Sequence, residues 1–197
     1  PQSQVSMMMH SDAGSIDMTS SQVEASDGFH VIADQNLTAT SMHLNLIEGG
    51  VLLQGTHGNL DLQSTEGLSG EYVRLTAGQE VLMDRLAVQA DELFQVVAEG
   101  NLSARGLEVE LGNGNLYLSA LTGSVNLTDS HITGDVGAVT LNAFNSVNVE
   151  NVFNREKGFE ADAVTLTAGD NVNLGNQSAV IRSTGDVTMV ANTLNGG

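Results

Sequence analysis

The chain has 197 residues, no cysteine, 24 acidic against six basic residues, and a formal charge of −18. That balance excludes phosphate-backbone recognition, which rests on clustered Lys and Arg, and the lack of cysteine excludes disulfides and thiol chemistry. A hydrophobic content of 41% with no apolar run near spanning length predicts one apolar core and no membrane insertion.

Strand signals begin at Val5 and recur to the end of the chain. A first series of apolar pairs at i and i+2 runs through Val5/Met7, Phe29/Val31, Val51/Leu53, Val73/Leu75, Phe94/Val96, Leu116/Leu118, Val139/Leu141, Val164/Leu166 and Val187/Met189. A second series follows each pair after a short turn. It starts at Ile16, Leu37, Leu60, Val81, Leu102, Val125, Val147, Val172 and Leu194. Successive starts in both series lie 21 to 25 residues apart. A looser third series takes Val23/Ala25, Met42/Leu44, Leu68, Leu86/Val88, Val109/Leu111 and Ile132.

In a strand, residues i and i+2 share a face and the residue between them points away. Two inward residues make a strand too short to be stable alone. Stacking coil on coil at about 4.8 Å turns those pairs into a continuous apolar ladder. The fold predicted is therefore all-β: one right-handed parallel β-helix (β-solenoid) over residues 1–197, with about 22 residues per three-strand coil and about nine coils. Its core ladder is Val51, Leu53, Val73, Leu75, Leu116, Leu118, Val139, Leu141, Val164, Leu166, Val187 and Met189. A helix over Gln79 to Val97 is the one local alternative, but the strand register passes through it unbroken. Glycines such as Gly28, Gly50, Gly58 and Gly123 fall where corners are needed. Asn126, Asn148 and Asn173 hold the same place in three successive coils and predict a vertical row. The step from Val139 to Val164 carries surplus residues, which predicts a loop insertion at 153–160. That loop holds Phe153, Arg155, Lys157 and Phe159, a basic and aromatic bulge on an acidic chain.

Chemistry is sparse. His10, His30, His43, His57 and His131 share no short metal-ligand spacing. Acidic corners such as Asp12, Asp17, Asp27 and Asp34 leave calcium as the one candidate ion, without the glycine-rich calcium-roll pattern. The central residues of the first series read Ser6, His30, Leu52, Arg74, Gln95, Tyr117, Thr140, Thr165 and Thr188. Asp17 and Asp61 stand two coils apart in the second series, a poor acid pair, with Arg74 as a nearby basic partner. No catalytic residue and no metal site is assigned.

Residues 164–180 and 183–194 resemble the repeat regions of large bacterial exoproteins of the filamentous haemagglutinin type, exported by two-partner secretion. The resemblance rests on the Gly-Asp/Asn-Val-x-Leu pattern, best at Asp170 to Leu174 and Gly185 to Met189. It is looser at Gly123 to Leu127 and Gly58 to Leu62, and it covers about Val51 to Leu194. It implies a right-handed parallel β-helix and an association with adhesion and surface filaments.

The function expected is non-enzymatic and structural, at the cell surface or in the extracellular matrix: an adhesin segment or a self-stacking filament subunit. A solenoid leaves apolar rungs open at its ends unless they are capped. The expected partner is thus another copy stacked end to end, or the flanking solenoid of a longer chain. Val5, Met7, Leu194, Phe153, Arg155, Lys157 and Phe159 are the candidate contacts. A host or matrix glycan or protein is a further candidate partner. Two alternatives stand beside this: a carbohydrate-binding or polysaccharide-degrading β-helix, and a calcium-stabilised secreted module.

Overall fold

In the computed structural model, residues 6–46, 48–134, 136–152, 159–175 and 181–196 are described, and all regular structure among them is strand. Every strand pairs in parallel with a strand about one coil away. The chain is a β-solenoid. Its second sheet has nine strands, from Ile16–Asp17 to Thr193–Gly196, which span about eight turns. The first sheet runs alongside it from Ser6–Ser11 to Val187–Val190. At about 4.8 Å per coil the stack is roughly 40 Å long.

The apolar pairs set this register. In the second sheet Ile16 pairs with Leu37, Leu37 with Leu60, and so on without a slip to Leu194. In the first sheet Phe29, Val51, Val73, Phe94, Leu116, Val139, Val164 and Val187 form one column. Val51, Leu53, Val73, Leu75, Leu116, Leu118, Val139, Leu141, Val164 and Leu166 are all buried. Each such side chain contributes roughly 1.5–3 kcal/mol by leaving water. Val187 keeps the register but is 47% exposed, and Met189 is half-buried. The segment from Gln79 to Val97 holds the strands Val81–Asp84 and Ala87–Ala98, joined by a corner, and no helix.

The first rung differs from the expected pairing. Met7 and Met9, not Val5 and Met7, pair with Phe29 and Val31. Three consecutive methionines offer an apolar residue in either frame, so the alternation alone could not choose. Val5 lies outside the described residues. The last two positions of the expected loop belong to the strand Phe159–Ala168, where Phe159 pairs with Ile181. Phe153, Arg155 and Lys157 lie outside the described residues.

The third face is the least regular. Gln22–Ala25 pairs with His43–Leu46 as a separate ribbon. In the next two coils the third face runs directly into the first sheet as the long strands Leu68–Ala77 and Ala87–Ala98. Glu108–Leu111 and His131–Gly134 continue it. Here the structure shifts two expected pairs. Leu44 and Leu46 align with Val23 and Ala25, and Val88 and Ala90 with Val109 and Leu111.

The corner before this face explains the shift. Ser20, Ser41, Ser64, Arg85, Gly106, Asp129 and Asn151, about one coil apart, have φ between 48° and 59°. This left-handed turn lets each N–H reach the neighbouring coil, as from Ser41 to the Gln63 carbonyl and from Arg85 to the Arg105 carbonyl, both at 2.8 Å. The next residue then points inward. Met42, Thr65, Leu86, Leu107, Ser130 and Val152 form this extra buried column. Met42 and Leu86 are corner residues, not strand residues. Thr65 and Ser130 satisfy their hydroxyls on backbone: Thr65 Oγ1 donates to the Ala39 carbonyl at 3.1 Å, and Ser130 Oγ to the Thr128 carbonyl at 2.9 Å.

Candidate functional surfaces

The outward side chains form columns, one residue per coil, and each face has its own chemistry. On the second face the central column carries an amide ladder. Asn148 Nδ2 donates to Asn126 Oδ1 at 2.7 Å, Asn173 Nδ2 to Asn148 Oδ1 at 2.5 Å, and Asn195 Nδ2 to Asn173 Oδ1 at 2.6 Å. The three expected asparagines are thus joined by Asn195, which follows Leu194 as Asn173 follows Val172. All donors point toward the amino-terminal end. A second ladder closes the preceding corner: Asn36, Asn59 and Asn101 each accept, through Oδ1, a backbone N–H of the next coil at 2.9–3.0 Å.

Asp17 and Asp61 lie in the same central column with Thr38 between them. Each is held locally. The Thr19 hydroxyl and N–H hold the Asp17 carboxyl below the usual carboxylate range. Gln63 Nε2 donates to both oxygens of Asp61 at 3.0 and 3.1 Å. Arg74 is not their partner. It projects from the first sheet, between Leu52 and Gln95, and its guanidinium lies 5.1 Å from the Tyr72 ring centre. The strand turn between the sheets separates it from Asp61.

The third face bears a shallow open groove of about 570 Å³, lined in part by His43, Asn45, Gln89, Glu108, Glu110 and His131. Glu108 and Glu110 project from one strand, and His131 stands in register beside Glu108. Elsewhere His57 Nδ1 lies 2.9 Å from Asp34 Oδ1 across one coil. The Gln35 amide, then His57, hold the Asp34 carboxyl below its ordinary range. Among the described residues, no group of three or more His, Asp or Glu side chains converges as a cation site would require.

The outer side of the first sheet differs from the other two faces. Its central column is Met8, His30, Leu52, Arg74, Gln95, Tyr117, Thr140, Thr165 and Thr188. Met8 replaces the expected Ser6, following the corrected first register. Tyr72 stands beside this column with its ring over Gly50, where an added Cβ would lie 2.2 Å from the ring. At the corner beyond, Leu121 and Phe144 are exposed by 51% and 67%, flanking a hollow of about 480 Å³. Sequence reading missed this pair. The available signal was two large apolar residues outside every inward column.

The last rung leaves Val187, Val190 and Leu194 exposed by 47%, 54% and 57%. At the first rung Met7 is half-buried against the core. Of the candidate contacts in the expected loop, only the Phe159 backbone is described, as strand.

No family model, curated protein or solved structure matches the chain.

Proposed function

We propose that this chain is a rod-like structural segment of an exported bacterial surface or matrix protein, of the filamentous haemagglutinin kind. In this reading it acts as an adhesin segment or self-stacking filament subunit and carries no catalytic residues. One observation carries the proposal. An apolar ladder runs along the solenoid, an amide ladder joins Asn126 to Asn195 through four coils, and both arrive at a rung whose core-column residues Val187 and Leu194 are exposed. A further parallel rung laid there buries both and extends both sheets. That rung comes from a second copy or from flanking solenoid of a longer chain. The resemblance to haemagglutinin repeats supports the setting, since its best motif matches fall on Asp170 to Leu174 and Gly185 to Met189, within or at the edge of stacked strands.

The test is sedimentation of the purified chain over a concentration series, with Leu194→Asp as comparison. The expected result is concentration-dependent linear association that Leu194→Asp abolishes while the β-rich circular dichroism stays. Association unchanged by the charge would count against the rung as the joint.

A further inference from the structure

Three outward columns cover the first sheet. The central one is given above. The flanking ones run from Ser6 through Ala163 and from His10 to Val190. The chain has 24 Asp and Glu residues, yet only Asp186, at the turn into the last strand, stands in any of the three columns among the described residues. The acids are elsewhere. Asp17 and Asp61 face out from the second sheet and Glu24, Glu108 and Glu110 from the third, while Asp27, at a turn, and Glu71, Glu92 and Asp162, within the strands Leu68–Ala77, Ala87–Ala98 and Phe159–Ala168, lie just before the three columns, along one edge of the face.

The aromatic residues segregate independently. Phe29 and Phe94 fill the core. Every other described aromatic side chain, Tyr72, Tyr117 and Phe144, lies on this face or at its rim. Tyr72 and Tyr117 stand two coils apart, roughly 10 Å along the rod. Between and around them are hydrogen-bonding side chains without full charge: Gln95, Asn115, Thr140 and Asn142.

From these two distributions we infer that the outer face of the first sheet binds a linear, uncharged polysaccharide laid along the rod. The chemistry selects this class. A polyanion needs several Lys or Arg side chains, and the face offers one, Arg74, on a chain of charge −18. A polycation would gather on the acidic corners and the other two faces. A second copy of the chain brings the same net negative charge, and the face is a strip three residues wide. The three outward columns cover five positions along each strand, so the strip is about 16 Å across and 40 Å long, roughly 640 Å² against the 800 Å² per partner of a stable complex. A polymer of sugar rings fits both the shape and the groups. The C–H face of a pyranose stacks on a tyrosine or phenylalanine ring, and its hydroxyls exchange hydrogen bonds with amides and threonines. The hollow between Leu121 and Phe144, with Asn142 and Asp170 at its edge, takes a ring at the side of the strip.

This builds on the reading of the chain as a surface rod but does not depend on end-to-end stacking. Stacking is scored by sedimentation, sugar binding by retention, so either can fail alone. The experiment passes the purified chain over cellulose, chitin, mannan and starch, with heparin-agarose as the anionic comparison, at physiological salt. Retention is compared for Tyr117→Ala, Thr140→Asp and Thr165→Asp, and for Gln89→Asp as an equal charge change on the third face. Unaltered circular dichroism selects the variants that are scored. The expected result is retention on at least one neutral polymer, weakened roughly tenfold by each first-face variant and unchanged by Gln89→Asp. Retention on no neutral polymer, retention on heparin alone, or an equal loss with Gln89→Asp would each overturn the inference.

Discussion

The side-chain amide of Asn148 donates to the Oδ1 of Asn126, one coil away, at 2.7 Å, and every later amide in the column repeats the bond in the same direction. The Asn126–Asn148 and Asn148–Asn173 bonds are part-buried on the second sheet, and the Asn173–Asn195 bond is exposed. A group removed from such a site leaves its neighbours without partners, which costs about 1–3 kcal/mol. Asn148→Asp is the sharper change. It sets a carboxylate against the Asn126 oxygen, two acceptors face to face. We expect it to lower the melting temperature at neutral pH by more than Asn148→Ser does. Equal melting temperatures for the two variants would mean that the amides bond to water rather than to each other.

The left-handed corners yield a second expectation. Arg85 has φ of 53° in the same place as Gly106. An L-residue pays about 1–2 kcal/mol there, and a β-branched one most of all. Its contact with Asp84 at 3.3 Å is exposed and contributes little. Arg85→Gly should therefore fall within about 1 kcal/mol of the parent, the relief of strain offsetting glycine's chain entropy. Arg85→Val should destabilise by about 1–2 kcal/mol. Chemical denaturation measures both, and a valine as well tolerated as the glycine would contradict the corner geometry.

Ser119 is buried on the first sheet, and its Oγ finds no hydrogen-bond partner. Replacing such a hydroxyl by a methyl-sized group removes the desolvation cost without opening a sizeable cavity. Ser119→Ala is expected to stabilise the chain by about 1 kcal/mol. A clear loss of stability on denaturation would show that the hydroxyl is bonded after all.

Asp34 provides the pH dependence. Its carboxyl is held below the ordinary value by the Gln35 amide and by His57. A group depressed in the folded state stabilises it at and above the unfolded value, near about 3.9. That contribution is lost as pH falls through the folded value. The melting temperature should thus be level above about pH 5 and decline below about pH 4, with a shallower decline in Asp34→Asn. A steeper acid decline in the variant would reverse the sign of this linkage.

Much of the fold was legible because a solenoid repeats its instructions. In the second sheet all nine column starts, Ile16 to Leu194, stand in the register that the apolar spacing gives. The register failed where the pattern was locally degenerate. Met7, Met8 and Met9 supply apolar residues in both frames, and Met42-His-Leu44-Asn-Leu46 continues its alternation straight through a corner. The corner itself was invisible because serine, arginine and aspartate occupy a conformation usually read from glycine or asparagine. The carboxylate-poor face was not legible either. Its residues are about 22 positions apart in sequence, and their common character emerges only when the coils are laid side by side. Arg74 shows the same limit: a neighbour of Asp61 by counting, it is turned onto another sheet by the corner between them.

The central claim is that the last rung, with Val187 and Leu194 exposed, accepts a further parallel rung. Electron microscopy of the purified chain at near-neutral pH tests it most directly. The account predicts thin, unbranched fibres that lengthen with protein concentration and give a meridional repeat of about 4.8 Å. Isolated rods of roughly 40 Å at every concentration would contradict it.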